Sequence, residues 1–294
     1  MTDEMGKKAA LLSSVEIGLG SLLHAFSIPA AGHFLSLNQG LILTRASIET
    51  GDRRAPVLIS TASALLKSLS PAGKKLTPML AISVQGQLFG LGIYLLGNNF
   101  AGHLLGMTLL GLWGFIQPLA LYFLIFGKDL VALFRFYLIE TNKWISVTED
   151  DILKIVLTCL ALKFVLGIAC VILAHRIKPE SLARYSEWIK NRAPAMKPKM
   201  NRSSNSVYRN SLQDLFQPIF LFSYGLMLLF YFYSGSSHAE IIWWSLRPLA
   251  IAYLLFLAIR IFPVERVSNF LKLKSPALGA TLDHAIKVIR KNQT

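Results

Sequence analysis

The chain has 294 residues, 53% hydrophobic and 16% charged, against roughly 25% charged in soluble domains. Its charge-free stretch of 52 residues from Leu76 to Gly127 is more than twice the roughly 20 apolar residues that one membrane-spanning helix needs, which excludes an ordinary soluble core. Lys and Arg exceed Asp and Glu by 14. In a soluble chain that excess would raise nucleic acid as a partner, but here the location of the charges assigns it elsewhere.

Taken in chain order, apolar segments run over 11–31, 34–48, 55–70, 76–97, 100–127, 151–175, 215–233 and 239–262, eight in all. The first is expected to be a retained span, because Asp3, Glu4 and Glu16 break the basic-then-apolar order of a cleaved leader and no Ala-x-Ala site follows. The second and third fall short of the usual span length of about 17 to 25 residues. They are expected to be tilted, broken or re-entrant, and irregular backbone at membrane depth borders a binding site in many transporters. Cys159 and Cys170 share one apolar segment without Cys or His neighbours at ligand spacing, and read as small apolar fillers.

With eight spans and a cytoplasmic N-terminus, the inner side receives Lys7, Lys8, Arg53, Arg54, nine basic residues between Arg176 and Arg209, and Arg266, Lys272, Lys274, Lys287, Arg290 and Lys291. The outer side receives only Lys74, Lys75, Lys128, Arg135 and Lys143. This satisfies the positive-inside rule and accounts for most of the net charge without nucleic acid. The expected location is a bacterial cytoplasmic membrane with both termini in the cytoplasm. The organisation expected is a six-span unit over 11–175, a Pro- and Lys/Arg-rich cytoplasmic linker over 176–210, a transmembrane hairpin over 211–262 and an amphipathic tail over 263–294, suited to a lipid surface or a soluble partner.

Motifs of catalysis are absent: no phosphate loop, no His-Glu-x-x-His, no Gly-x-Ser-x-Gly and no paired-aspartate motif. No catalytic residue, metal or cofactor is therefore expected, and any ATP-driven work needs a partner. The Asn201–Ser203 triplet matches a glycosylation acceptor but falls in the cytoplasmic linker. Three sets of residues remain. His33, Ser36, Asn38, Gln39, Thr44 and Arg45 lie in or beside a weak segment, where polar groups either hold helices together or line a ligand. Ser14, Gly18, Ser21 and Ala25 form small-xxx-small pairs in the first span, for internal packing or a partner helix. Gln85, Gln87, Asn98, Asn99, His103, Trp113 and Gln117 occupy segments four and five, joined by Arg135, Asn142, Lys143 and Trp144 in the following loop. Lys163 sits near the middle of segment six, where a charge faces a cavity or a partner.

The small-residue first span, the IPAAGHFLSLNQGLIL turn, the SPAGKKLTPMLAISVQG entry to segment four and the Gly-rich fifth segment resemble the substrate-binding S component of energy-coupling factor transporters. The resemblance covers about 11–175 and implies an all-α, six-helix membrane subunit that binds a micronutrient such as a vitamin. It further implies a membrane coupling subunit and two cytoplasmic ATPases as partners. By position, Ser14, Gly18, Ser21 and Ala25 would contact the coupling subunit. Gln85, Trp113, Gln117, Asn142 and Lys163 would contact the solute, with the turn bearing His33, Asn38 and Gln39 as a lid. S components ordinarily end after six helices, so the linker, hairpin and tail are additions. The alternatives are a membrane enzyme acting on a lipid or isoprenoid, with His24, His33 or His103 transferring protons, and an assembly protein whose polar groups only tie helices together.

Overall fold

The computed structural model describes residues 2–25, 31–68, 76–127, 129–143, 148–177, 207–216, 218–233, 238–261, 269–270 and 272–291. The linker residues 178–206, the Lys74–Lys75 pair and Trp144 lie outside them, as do the side chains of Ser21, His24 and Ala25. Among the described residues the elements are all α-helical: α1 (Thr2–Ala25), α2 (Ala31–Thr50), α3 (Ala55–Ser68), α4 (Leu76–Leu96), α5 (Phe100–Phe126), α6 (Asp129–Asn142), α7 (Glu149–Arg176), α8 (Val207–Asp214), α9 (Pro218–Tyr233), α10 (His238–Ile261) and α11 (Pro276–Lys291).

Local chemistry sets several boundaries. Gly51 closes α2 at φ 66°, and its N–H donates to Ser47 O at 3.0 Å. Gly97 closes α4 at φ 87° with the same bond to Ile93 O at 2.8 Å, the left-handed cap that a Cβ penalises. Asn99 then caps α5, its Oδ1 accepting from Gly102 N at 2.9 Å. Thr148 and Asp151 form a reciprocal capping box at the start of α7. Inside α5, Pro118 has no N–H to offer the Gly114 carbonyl.

Three helices are long and apolar enough to cross a membrane: Thr77–Leu96, Phe100–Phe126 and Asp150–Arg176. The other apolar helices, Ala55–Lys67, Phe220–Tyr233 and Ile241–Leu257, are shorter. Eight hydropathic segments thus reduce to three helices of spanning length and composition among the described residues. Residues 26–30 of the first segment lie outside the described residues, and α2 carries His33, Ser36, Asn38, Gln39 and Arg45 among its apolar positions. Only 17% of the apolar window of α5, and the same share in α7, is buried, against 44% in α4. Leu153, Ile155, Val156, Leu157, Leu162 and Val165 of α7 are all exposed, a surface that suits lipid and not water.

The chain divides into two compact units: 1–117 with 159–199 and 264–294, and 118–158 with 200–263. In this division 118–158 groups with 200–263, and 264–294 groups with 1–117. In the first unit α1 packs on α2, α3 and α11, and α3 packs on α4. Met5, Leu12, Ile42, Leu43, Ile59, Ile82, Phe89 and Leu110 fill its core. Glycines permit the close approaches. A Cβ on Gly106 would lie 2.6 Å from Phe89 O, and one on Gly90 would lie 2.7 Å from Val57 Cγ2. The amphipathic tail helix α11 spends its apolar face here: Leu278, Leu282 and Ala285 join the core, while His284 Nδ1 stands 3.0 Å from Asp3 Oδ1. In the second unit α9 packs against α6 and α10. The stretch read as a loop before segment six is mostly α6, with Asn142 its last residue.

Candidate functional site

Lys163 and His33, 130 residues apart in sequence, meet inside the first unit. Lys163 Nζ and His33 Nδ1 stand 2.6 Å apart; a charged lysine can only donate there, to a neutral His33 with its proton on Nε2. Lys163 lies at the midpoint of α7 and is 9% exposed. His33 is the third residue of α2. Phe115 of α5 completes the group, its ring 4.6 Å from the His33 ring and 5.1 Å from Lys163 Nζ. Two glycines on the same face of α5 make the space. The Lys163 stem runs across Gly111, where a Cβ would touch Cε at 3.5 Å, and Nζ would sit 2.9 Å from a Cβ on Gly114.

The electrostatics of this group are unbalanced. A lysine charge at the centre of a spanning helix costs at least about 2.5 kcal/mol. The π-face of Phe115 recovers some of that, and a neutral imidazole brings no negative charge. Among the described residues no carboxylate reaches Lys163. Moreover, His33 lies in the first turn of α2, whose N-terminal end carries partial positive charge.

The other residues singled out in the sequence are placed differently. Gln39 is fully buried between helices, its Nε2 donating to Ile82 O at 2.9 Å and to Ser60 Oγ at 3.3 Å, while its Oε1 has no partner. Gln117 donates to Thr77 O at 3.2 Å and so ties α5 to the start of α4. Gln85 is buried and Asn38 half-buried. Trp113 Nε1 is buried without a hydrogen bond, but at 100° per residue its position is about 200° round α5 from Gly111, away from the face that meets Lys163. Asn142 is exposed and belongs to the second unit. Gly18 is buried and Ser14 half-buried in the helix that α2, α3 and α11 pack against.

Three further polar groupings emerge in the first unit. His103 is held by His175 at 3.0 Å and by Asn98 Oδ1 at 2.8 Å, and Asn98 is itself anchored to Ser47 O. His103 precedes Phe115 by twelve residues, about 18 Å along a helix axis. His33 and His103 therefore do not share one proton-transfer site. Glu16 and Lys67 are buried together, with Lys67 Nζ donating to the Glu16 main-chain carbonyl. At the end of α2, Glu49 accepts from Lys8 Nζ at 2.6 Å and from Arg45 Nε at 2.7 Å. Burial pushes the Glu49 carboxyl up, but the hydrogen bonds and charges of Lys8 and Arg45 outweigh it and hold the group below its ordinary 4.5.

Phe115, Gly111 and Gly114 were missed in the sequence, although their i, i+3, i+4 spacing places them on one helical face. Among the described residues no three His, Cys, Asp or Glu side chains converge as for a metal. Comparison with protein-family models, with curated proteins and with solved structures gives no match.

Proposed function

We propose that this chain is the solute-binding membrane subunit of a micronutrient uptake transporter, driven by two partner ATPases through a separate membrane coupling subunit. The observation that carries the reading is the Lys163–His33–Phe115 group. A buried cation held by a neutral imidazole and an aromatic face is costly to keep in an apolar helix, and ligand binding at that point would offset the cost. The sequence holds no nucleotide-binding motif that could power transport alone, which supports partner ATPases.

Further support comes from where α2 begins. His33, in its first turn, meets the midpoint of α7, so α2 starts at the depth where α7 would cross the middle of the bilayer. This is the broken-helix arrangement that borders midplane sites in transporters. The Asp3–His284 contact joins the start of α1 to α11, which supports an even number of crossings between them. In this reading α1, α2, α3, α4, α5 and α7 form the six-helix unit, and the added hairpin crosses separately.

The test is purification of the tagged full chain in mild detergent from its native host, with mass spectrometry of co-purifying proteins and small molecules. One small solute at near-equimolar amount, recovered with an ATPase pair, is the expected result. Lipid alone in repeated preparations contradicts the proposal.

A further inference from the structure

We infer that the solute carries an anionic group, a carboxylate or a phosphate, and that this group binds at Lys163, which no carboxylate meets among the described residues. The inference rests on the binding-subunit reading and names the class of solute. Its basis is the sign of everything that converges. Lys163 has three N–H donors, of which one is spent on His33 Nδ1. His33, held neutral by that bond, keeps an Nε2–H to donate. The first turn of α2 adds the positive end of a 20-residue helix. Against these, among the described residues, stands the face of Phe115, which carries no formal charge.

An anion at Lys163 Nζ is favoured by the ammonium and by the N-terminus of α2, while the His33 Nε2–H points to the opposite side of the ring; a cationic solute is opposed by both positive groups. The glycines sharpen this. A Cβ at position 114 would press on Lys163 Nζ at 2.9 Å and His33 Nδ1 at 3.2 Å, so the bare backbone there leaves room for both nitrogens. The aromatic rings of Phe115 and His33, 4.6 Å apart between centroids and tilted 40° to each other, add apolar surface beside the charge. The solute expected is therefore an acid and not an amine.

The experiment compares the wild-type full chain, Lys163→Met and Lys163→Arg, each purified in mild detergent, with liquid chromatography and mass spectrometry of the released small molecules. The expected result is a solute bearing a carboxylate or phosphate in the wild type, reduced at least tenfold in Lys163→Met and partly retained in Lys163→Arg. A neutral or cationic solute overturns the anion inference while leaving the binding-subunit reading intact. An anionic phospholipid as the sole ligand, lost in Lys163→Met, keeps the anion at Lys163 but removes the uptake reading. No small molecule above background, or one whose amount neither substitution changes, overturns the inference. Where Lys163→Met fails to give folded protein by its melting profile, the charge of the wild-type solute decides alone.

Discussion

The two units of this chain hold their helices together with opposite kinds of residue. In the first, glycines and small side chains bring helices into close contact, and polar groups sit inside: Gln39, Glu16, Lys67, His103 and Lys163 are all buried. In the second, large rings do the work. Phe136 meets Phe230, Phe220 meets Phe256 and Tyr231 meets Trp244, all at centroid separations between 5.2 and 6.3 Å. There the tyrosine hydroxyls find main-chain or side-chain oxygens: Tyr137 donates to Leu226 O and Tyr231 to Asp129 Oδ2. Small side chains let backbone approach backbone in the first unit, whereas ring packing fills the second. The Lys163 charge, which no carboxylate meets among the described residues, belongs to the first unit.

Glycine substitutions test this contrast most directly. Gly106→Ala would place a Cβ 2.6 Å from the Phe89 carbonyl oxygen and 3.1 Å from its ring, and backbone cannot step aside cheaply. The expected loss is about 3 kcal/mol or more, read as a lowered unfolding temperature of the detergent-solubilised chain; an unchanged melt would break the close-packing account. Gly114→Ala presses instead on the movable ends of Lys163 and His33. It should leave the melt within about 1 kcal/mol and reduce retained solute about tenfold, equivalent to roughly 1.4 kcal/mol. Equal damage to folding and binding would show that these residues only hold helices.

The Glu49 tie gives a smaller effect with a defined pH dependence. Glu49→Gln should cost about 1 kcal/mol at neutral pH. Because the folded carboxyl titrates below its ordinary 4.5, the stabilisation is complete above that value and is lost as the pH falls through the depressed one. Melts of wild type and variant should therefore converge under acid conditions, and a gap that widens there would reject the tie. The smallest effect is expected in the second unit. A methyl group added at Gly225 would meet nothing within 4 Å, so Gly225→Ala should raise stability by about 0.5 kcal/mol through helix propensity alone. A loss there would mean that the ring-packed unit also depends on close backbone approach.

Membrane character was legible in the sequence because charge is absent over so long a run, and composition needs no tertiary information. His33 and Lys163 each stood out as polar groups in apolar surroundings. Their contact did not, since nothing local links residues 130 positions apart. The helix face bearing Gly111, Gly114 and Phe115 could have been found from its periodicity, but a glycine in an apolar run looks the same whether it faces lipid, a helix or a ligand. The tail was harder. The amphipathic pattern of α11 marks an apolar face without saying what covers it, and here α1 and α3 do so. Likewise the charges of α1 looked like features of a terminus, yet Lys8 pairs with Glu49 and Glu16 is buried beside Lys67.

The docking of α11 on α1 also sets the order of biosynthesis. Helix α1 carries Met5, Ala9 and Leu12, whose cover includes α11 from far along the chain. That hydrophobic seam therefore cannot close until α11 has been made, the long-range pairing that slows folding. A ribosome stalled before Pro276 should leave that seam open to proteolysis. The same proximity of α1 and α11 means that a short peptide bridge between them, with new ends cut elsewhere, should yield a circular permutant in which this seam joins neighbouring helices.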